Sequence, residues 1–182
     1  MKAFLAPAAL ALITAAPATA AVWTVSGSLA RSCYVAAEAR IGTIQALEHC
    51  EQAFRHQALS GEERVATHVN RGIVRMVRRD FAGARADFEA AAALEPREPE
   101  AWLNLGVLLF NEGNSAAAVP MFDRAIELRT KRPAFAYFGR GVAHEDLGNV
   151  RAAYADLSRA RSLMPGWALP AAHLARYQVR GN

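Results

Sequence analysis

Along much of this chain apolar residues recur at intervals of three and four, the spacing that gathers them on one face of a helix. They fall in runs of about thirteen residues separated by short polar breaks. Three stretches repeat the pattern, beginning at His68, Trp102 and Tyr137. Laid over one another, they align Gly72 with Gly106 and Gly141, then Ala84 with Ala118 and Ala153. Phe88, Phe122 and Leu157 coincide next, then Ala91, Ala125 and Ala160. The register is 34 residues and then 35, and Pro96 and Pro165 close the first and third units. A fixed period of this length marks a stacked array in which one unit cannot bury its apolar face alone. Each unit predicts two helices joined by a tight turn. Gly113-Asn114 and Gly148-Asn149 supply it, glycine taking the left-handed position and asparagine capping the next helix. Arg79-Asp80 stands there in the first unit, so Asp80 caps without a glycine. A glycine inside a helix costs about 1 kcal/mol relative to alanine. Three at one register need a shared cause, and close approach of the partner helix at Ala84, Ala118 and Ala153 is the one expected.

The flanks carry weaker copies of the same pattern. Residues 28 to 57 read as a degenerate hairpin, with Ala46, Cys50 and Ala53 at the small, aromatic and second small positions and Cys33 where Leu105 sits. Ser60 and Glu63 predict a capping box for the helix that follows. Beyond Pro165-Gly166, residues 168 to 179 read as a lone helix. Leu169, Leu174 and Tyr177 are its apolar positions and Arg176 and Arg180 its polar ones, which suits it to cover the end of a stack.

In the middle unit Trp102, Leu105, Gly106, Leu109, Gly113, Ala118, Phe122 and Ala125 together resemble the tetratricopeptide repeat, and the resemblance covers residues 65 to about 166. It implies an all-α fold, a right-handed α-solenoid of antiparallel helix hairpins with a C-terminal capping helix. On that register the chain divides into a secretory signal peptide (1–20) and a degenerate helical hairpin with a disulfide (21–62). Repeats follow at 65–98, 99–133 and 134–167, then a capping helix and tail (168–182). The chain departs from the pattern at Arg71 and Arg140, which replace the large apolar residue before the glycine, and at Thr130, which stands where a closing proline is expected. Pro120 falls inside a helix, where it removes one backbone hydrogen bond and should bend it.

Composition agrees with helices: 53% of residues are hydrophobic, and much of that is alanine. The net charge is +4, and of 21 basic residues only Lys2 and Lys131 are lysines. The arginines are spaced as solvated helix faces. The densest cluster, Arg71, Arg75, Arg78 and Arg79, has no interleaved aromatic, so nucleic acid is not expected as a partner. At the N-terminus Lys2 precedes an apolar run from Phe4 to Ala16, and Ala18-Thr19-Ala20 gives the small-x-small pattern of a cleavage site. The run is too short to cross about 30 Å of hydrocarbon. The expectation is export to the periplasm, with secretion as an alternative, and cleavage after Ala20 or Ala21. No cysteine follows closely enough to carry a lipid anchor, and no later segment reads as a membrane span.

Two cysteines in an exported chain, Cys33 and Cys50, predict one disulfide. They are too few for a zinc site. Gly139-Arg140-Gly141 follows no strand, and His144-Glu145 lacks the second histidine of a metalloprotease helix. The five histidines include no pair at helical spacing, and no nucleophile elbow occurs. Neither a catalytic residue nor a metal or cofactor is therefore expected.

The resemblance implies instead a non-catalytic scaffold for protein–protein interaction, the first helices lining a concave face that holds a peptide or a partner's helix. The inward positions are Val69, Asn70, Ile73, Met76 and Val77 in the first repeat. They are Leu103, Asn104, Val107, Phe110 and Asn111 in the second, and Phe135, Phe138, Val142, Glu145 and Asp146 in the third. Asn70 and Asn104 share one register position, where an amide can pair with an extended backbone. The basic residues of a carboxylate-binding groove are absent, since Val69, Ile73 and Leu103 occupy their places. An apolar strand or amphipathic helix is thus the expected ligand. An envelope holdase with many clients is the alternative function.

Overall fold

Most of the helices start where a side chain is available to cap them. In the computed structural model, which describes residues 29–177, α1 spans 29–38 and is followed by α2 (Ile44–His56), α3 (Gly61–Val77) and α4 (Phe81–Leu94). Then come α5 (Pro99–Asn111), α6 (Ser115–Glu127), α7 (Pro133–Asp146), α8 (Val150–Leu163) and α9 (Ala168–Leu174). The leader read in residues 1–20 and its cleavage site lie outside the described residues. Thr43, Asp80 and Asn114 each accept a hydrogen bond from a backbone N–H in the first turn of the helix they precede. Ser60 and Glu63 form the reciprocal capping box. Asn149 occupies the equivalent position without making a side-chain cap. Gly113 and Gly148 adopt the left-handed conformation at φ 78° and 74°, and in the first repeat Arg79 takes it at φ 64°. A side chain there is strained where glycine is not. Pro120 sits on the exposed side of α6, which runs unbroken through it. The last helix is shorter than the 168 to 179 read from the sequence, because a turn begins at Ala175.

Helices pair as antiparallel hairpins, α3 with α4, α5 with α6 and α7 with α8, and each second helix packs on the first helix of the next unit. Helix α2 leans on α3 and α9 on α8, so both ends of the repeat array are covered. The first helices α3, α5 and α7 also touch in sequence, making one continuous side of an α-solenoid.

The in-register glycines are explained by a different neighbour from the one expected. A Cβ on Gly72 would stand 2.4 Å from Cε1 of Phe88, one on Gly106 2.8 Å from Cδ1 of Phe122, and one on Gly141 3.1 Å from Cγ of Leu157. The room is thus taken by the large residue four positions after the alanines, not by the alanines themselves. Phe122 is gripped twice, because a Cβ on Gly139 in the next repeat would lie 2.5 Å from its Cζ. That accounts for the Gly139-Arg140-Gly141 pattern as packing. Phe88, Phe122 and Leu157 are fully buried.

Candidate functional site

The arginines that break the repeat pattern form ion pairs inside it. Arg71 on α3 holds Asp87 on α4 with Nε and Nη2, at 3.0–3.1 and 2.7 Å. Arg75 Nη1 adds 2.8 Å and His68 Nδ1 3.0 Å to the same carboxylate. Asp87 is only 2% exposed. Burial opposes its ionisation, but hydrogen bonds from His68 and Arg71 and the charges of Arg71 and Arg75 outweigh it and hold the carboxyl below its ordinary range. In the third repeat Arg140 holds Asp156 with Nε and Nη2, both at 2.7 Å, and reaches back to Asp123 at 2.6 Å. Those bonds, the one to Asp156 foremost, prevail over burial and push the guanidinium pKa up. The middle repeat carries Leu105 and Met121 at these two positions. Arg71 also lies over the Phe54 ring, 4.4 Å from its centroid, and His68 lies 4.5 Å from it, which fastens α2 to the first repeat.

On the side made by the first helices lies a groove of about 890 Å3. Its floor is α3 and the start of α5, with Val69, Asn70, Ile73 and Asn104 among the lining residues. Tyr34 and Glu38 of α1 border it, as do Glu95 and Glu98 between α4 and α5 and Lys131 and Arg132 before α7. Glu38 and Arg132, 94 residues apart, form an ion pair that joins the first hairpin to the segment just before α7. In most solenoids a unit touches only its neighbours; this pair passes over one unit, and both of its residues line the groove. Thr130, at the position of the missing proline, is buried and donates to Glu100 Oε1 at 2.6 Å. The Lys131 backbone N–H donates to the same oxygen at 2.9 Å, tying that wall to α5.

The inward positions read from the register are not brought together on one surface. Val69, Asn70, Ile73 and Asn104 reach the groove. Met76 and Leu103 are buried in the helix packing, and Val107 and Phe110 are half-buried against it. Val77 is exposed and packs beside Gly42, and Asn111 is exposed at the end of α5. Phe135 and Phe138 both contact Trp167, with ring centroids 4.7 and 4.6 Å away, but Phe135 keeps 41% of its surface exposed while Phe138 is half-buried. Val142 lines a second, smaller cavity with Glu145, Asp146, His173 and Arg176. There Glu145 accepts from His173 Nδ1 at 2.5 Å and Arg176 Nη2 at 3.1 Å, and Asp146 from Ser115 Oγ at 2.9 Å. Of the expected apolar ligand positions, Met76 and Leu103 serve contacts between helices, whereas Val77 and Phe135 are exposed outside the lining of the groove. Tyr34, Glu62, Glu95 and Glu98 were missed because they sit on the degenerate hairpin, in a first turn or in an inter-repeat loop, where the periodicity carries no information. The Asn70–Asn104 register ends in the third repeat at Gly139.

At the first hairpin the sulfurs of Cys33 and Cys50 are joined, both residues fully buried and their Cα atoms 4.8 Å apart. Among the described residues no helix is long and apolar enough to cross a membrane.

The fold is similar to that of MamA (residues 41 to the end) from Desulfovibrio magneticus RS-1. The two are 19% identical, with 84% of this chain and 81% of that one covered, at a TM-score of 0.66. It is similar also to PilW, a widely conserved type IV pilus biogenesis factor, at 16% identity over 82% of this chain and 67% of that one, TM-score 0.67. YrrB, a TPR protein with an unusual peptide-binding site, matches at 22% identity over 86% and 74%, TM-score 0.61. At these identities the likeness is one of fold. The family profile of the tetratricopeptide repeat matches residues 69–133 and again 111–166. Together these spans take in more than half of the sequence, and the chain belongs to the tetratricopeptide repeat family.

Proposed function

We propose that this chain is a non-catalytic scaffold that takes an extended segment of a partner protein in the groove over α3 and α5. The observation that carries this is the open volume of about 890 Å3 over two in-register asparagines. A cleft of that size accommodates a few residues of extended chain. Asn70 and Asn104 lie one repeat apart on its floor; Asn70 can offer a donor and an acceptor to a peptide backbone, and Asn104, whose Nδ2 donates to the Glu100 carbonyl, an acceptor. The charged rim speaks against a holdase, whose clients would be met by a broad apolar surface. The carboxylates of the rim would repel nucleic acid phosphates.

The leader sequence and the cysteine pair support an exported, periplasmic location. An intact Met1 in a cytosolic fraction would remove that part of the reading. In-cell crosslinking identifies the captured partner, and a pull-down with Asn70→Ala/Asn104→Ala tests the groove. Retention of wild-type affinity by a folded double variant would place the interaction elsewhere, on the convex face.

A further inference from the structure

We infer that the segment bound in this groove is cationic, an extended stretch of partner protein presenting lysine or arginine side chains. The inference rests on the reading of the groove as a peptide site and deepens it.

The chain as a whole carries a net charge of +4. The groove has the opposite sign. Five glutamates line it against Arg64, Lys131 and Arg132. Glu38 and Arg132 neutralise each other. Glu100 is taken up by Thr130 and the Lys131 backbone. Glu62, Glu95 and Glu98 remain, against the side chains of Arg64 and Lys131, so the lining as a whole has five carboxylates to three cations. Glu95 and Glu98 accept only from nearby backbone N–H groups, of Arg97 and Glu100. Among the described residues none of the three carboxylates is bridged by an arginine or lysine side chain, although arginines elsewhere in the fold are drawn into pairs. Carboxylates left unpaired along a cleft in a basic protein set up a local field that favours a positive ligand and repels a negative one.

Two further features fit the same occupant. Tyr34 borders the groove with 48% of its surface exposed, a ring on which an ammonium or guanidinium group can settle. Asn104 is only 6% exposed. Its Nδ2 donates to the Glu100 carbonyl at 2.8 Å, while its Oδ1 takes no hydrogen bond from the described residues. Asn104 lines the groove and its side-chain carbonyl oxygen is free to accept, which a backbone N–H of an extended chain can satisfy. The amide then fixes the backbone, and the carboxylates and ring select the side chains.

The test is selection of a displayed library of random dodecapeptides on the full chain, expressed with its own leader. Selection is repeated on Glu62→Gln/Glu95→Gln/Glu98→Gln, which keeps every local hydrogen-bond acceptor, and on Asn70→Ala/Asn104→Ala. Circular dichroism confirms the fold of each. The expected result is enrichment of Lys and Arg over Asp and Glu in the selected peptides. Their binding should weaken roughly tenfold in the glutamine variant and lose most of its salt dependence. Peptides that are apolar or acidic, yet lost in the asparagine variant, would overturn the charge inference and leave the groove reading standing. Peptides indifferent to the asparagine variant, or no enriched peptide at all, would overturn both.

Discussion

Repeats one and three place an arginine and an aspartate where repeat two places Leu105 and Met121, so the fold itself offers an apolar replacement for a buried ion pair. Consider Arg140→Leu. Asp156 has 9% of its side chain exposed and loses both of its hydrogen bonds from Arg140. Breaking a buried pair on one side costs about 3–5 kcal/mol, because the remaining charge stays desolvated without a partner. The contact to Asp123, whose carboxylate is almost half exposed, adds at most about 1 kcal/mol. For a chain of this size each kcal/mol moves the melting midpoint by about 2–4 °C, so the single variant should melt on the order of 10 °C lower. Asp156→Met alone should cost less, since Arg140 keeps Asp123 and some solvent. The double variant, Arg140→Leu/Asp156→Met, recreates the pairing of the middle repeat and should return to within about 1 kcal/mol of the parent or exceed it. Thermal and urea melts of the four proteins close a double-mutant cycle, with an expected coupling of about 4 kcal/mol or more. A double variant that melts as low as Arg140→Leu would show that the positions are not interchangeable between repeats and that the register behind this comparison is wrong.

Gly106→Ala should destabilise by about 1–3 kcal/mol, since the new methyl would meet Phe122 at 2.8 Å while Gly139 holds the ring from the other side. Part of the loss should be recovered with Phe122→Leu, the pairing present at Gly141 and Leu157, and an unchanged melting midpoint for Gly106→Ala would reject the close contact. Asp87 ionises below its ordinary value of 3.8 in the folded chain, so its charge stabilises the fold above that pH, and the contribution disappears as pH falls through the lower folded-state value. An acid titration of stability should therefore flatten below pH 4 in Asp87→Asn relative to the parent; parallel curves would refute the assignment. Alkylation of the denatured, unreduced native protein should label neither Cys33 nor Cys50. Their separation of 17 residues gives a stabilisation of about 3 kcal/mol on chain-entropy grounds, so reduction should lower the melt accordingly.

The hairpins were legible because each repeat states its own boundaries. Gly113, Asn114 and the Ser60–Glu63 pair act within a few residues of themselves, and local chemistry of that kind survives in the order of the letters. The in-register glycines were legible as a constraint but not in their cause. The sequence places Ala84 and Phe88 equally well opposite Gly72, and only the tilt of α4 decides that the ring, not the methyl, fills the gap. The groove was half legible for a related reason. Asn70 and Asn104 follow from the register, whereas Phe135 and Phe138 follow from it equally but meet Trp167, the last residue of the third unit, rather than the groove. Arg71 and Arg140 looked like departures because the pattern compares one position across units. Their meaning depends on a second position, Asp87 and Asp156, sixteen residues further on.

The length of the groove follows from the same packing that holds the stack together. A third asparagine in register would stand at residue 139, and a Cβ there would lie 2.5 Å from the Phe122 ring. Phe122 is the largest buried contact between the second and third repeats, so the position is given to glycine and the amide series stops at two. Arg132, just before α7, pairs with Glu38 of α1 at the border of the groove, whose floor is α3 and the start of α5. The two features arise from different residues on different helices and yield one outcome, a short cleft over two repeats. A long ligand could not be read in register along this side. On the proposed reading a partner contributes only a few residues, and their discrimination falls to the groups at the rim. With Met76 and Leu103 spent on contacts between helices, those rim groups are the half-exposed Tyr34 and the carboxylates of Glu62, Glu95 and Glu98.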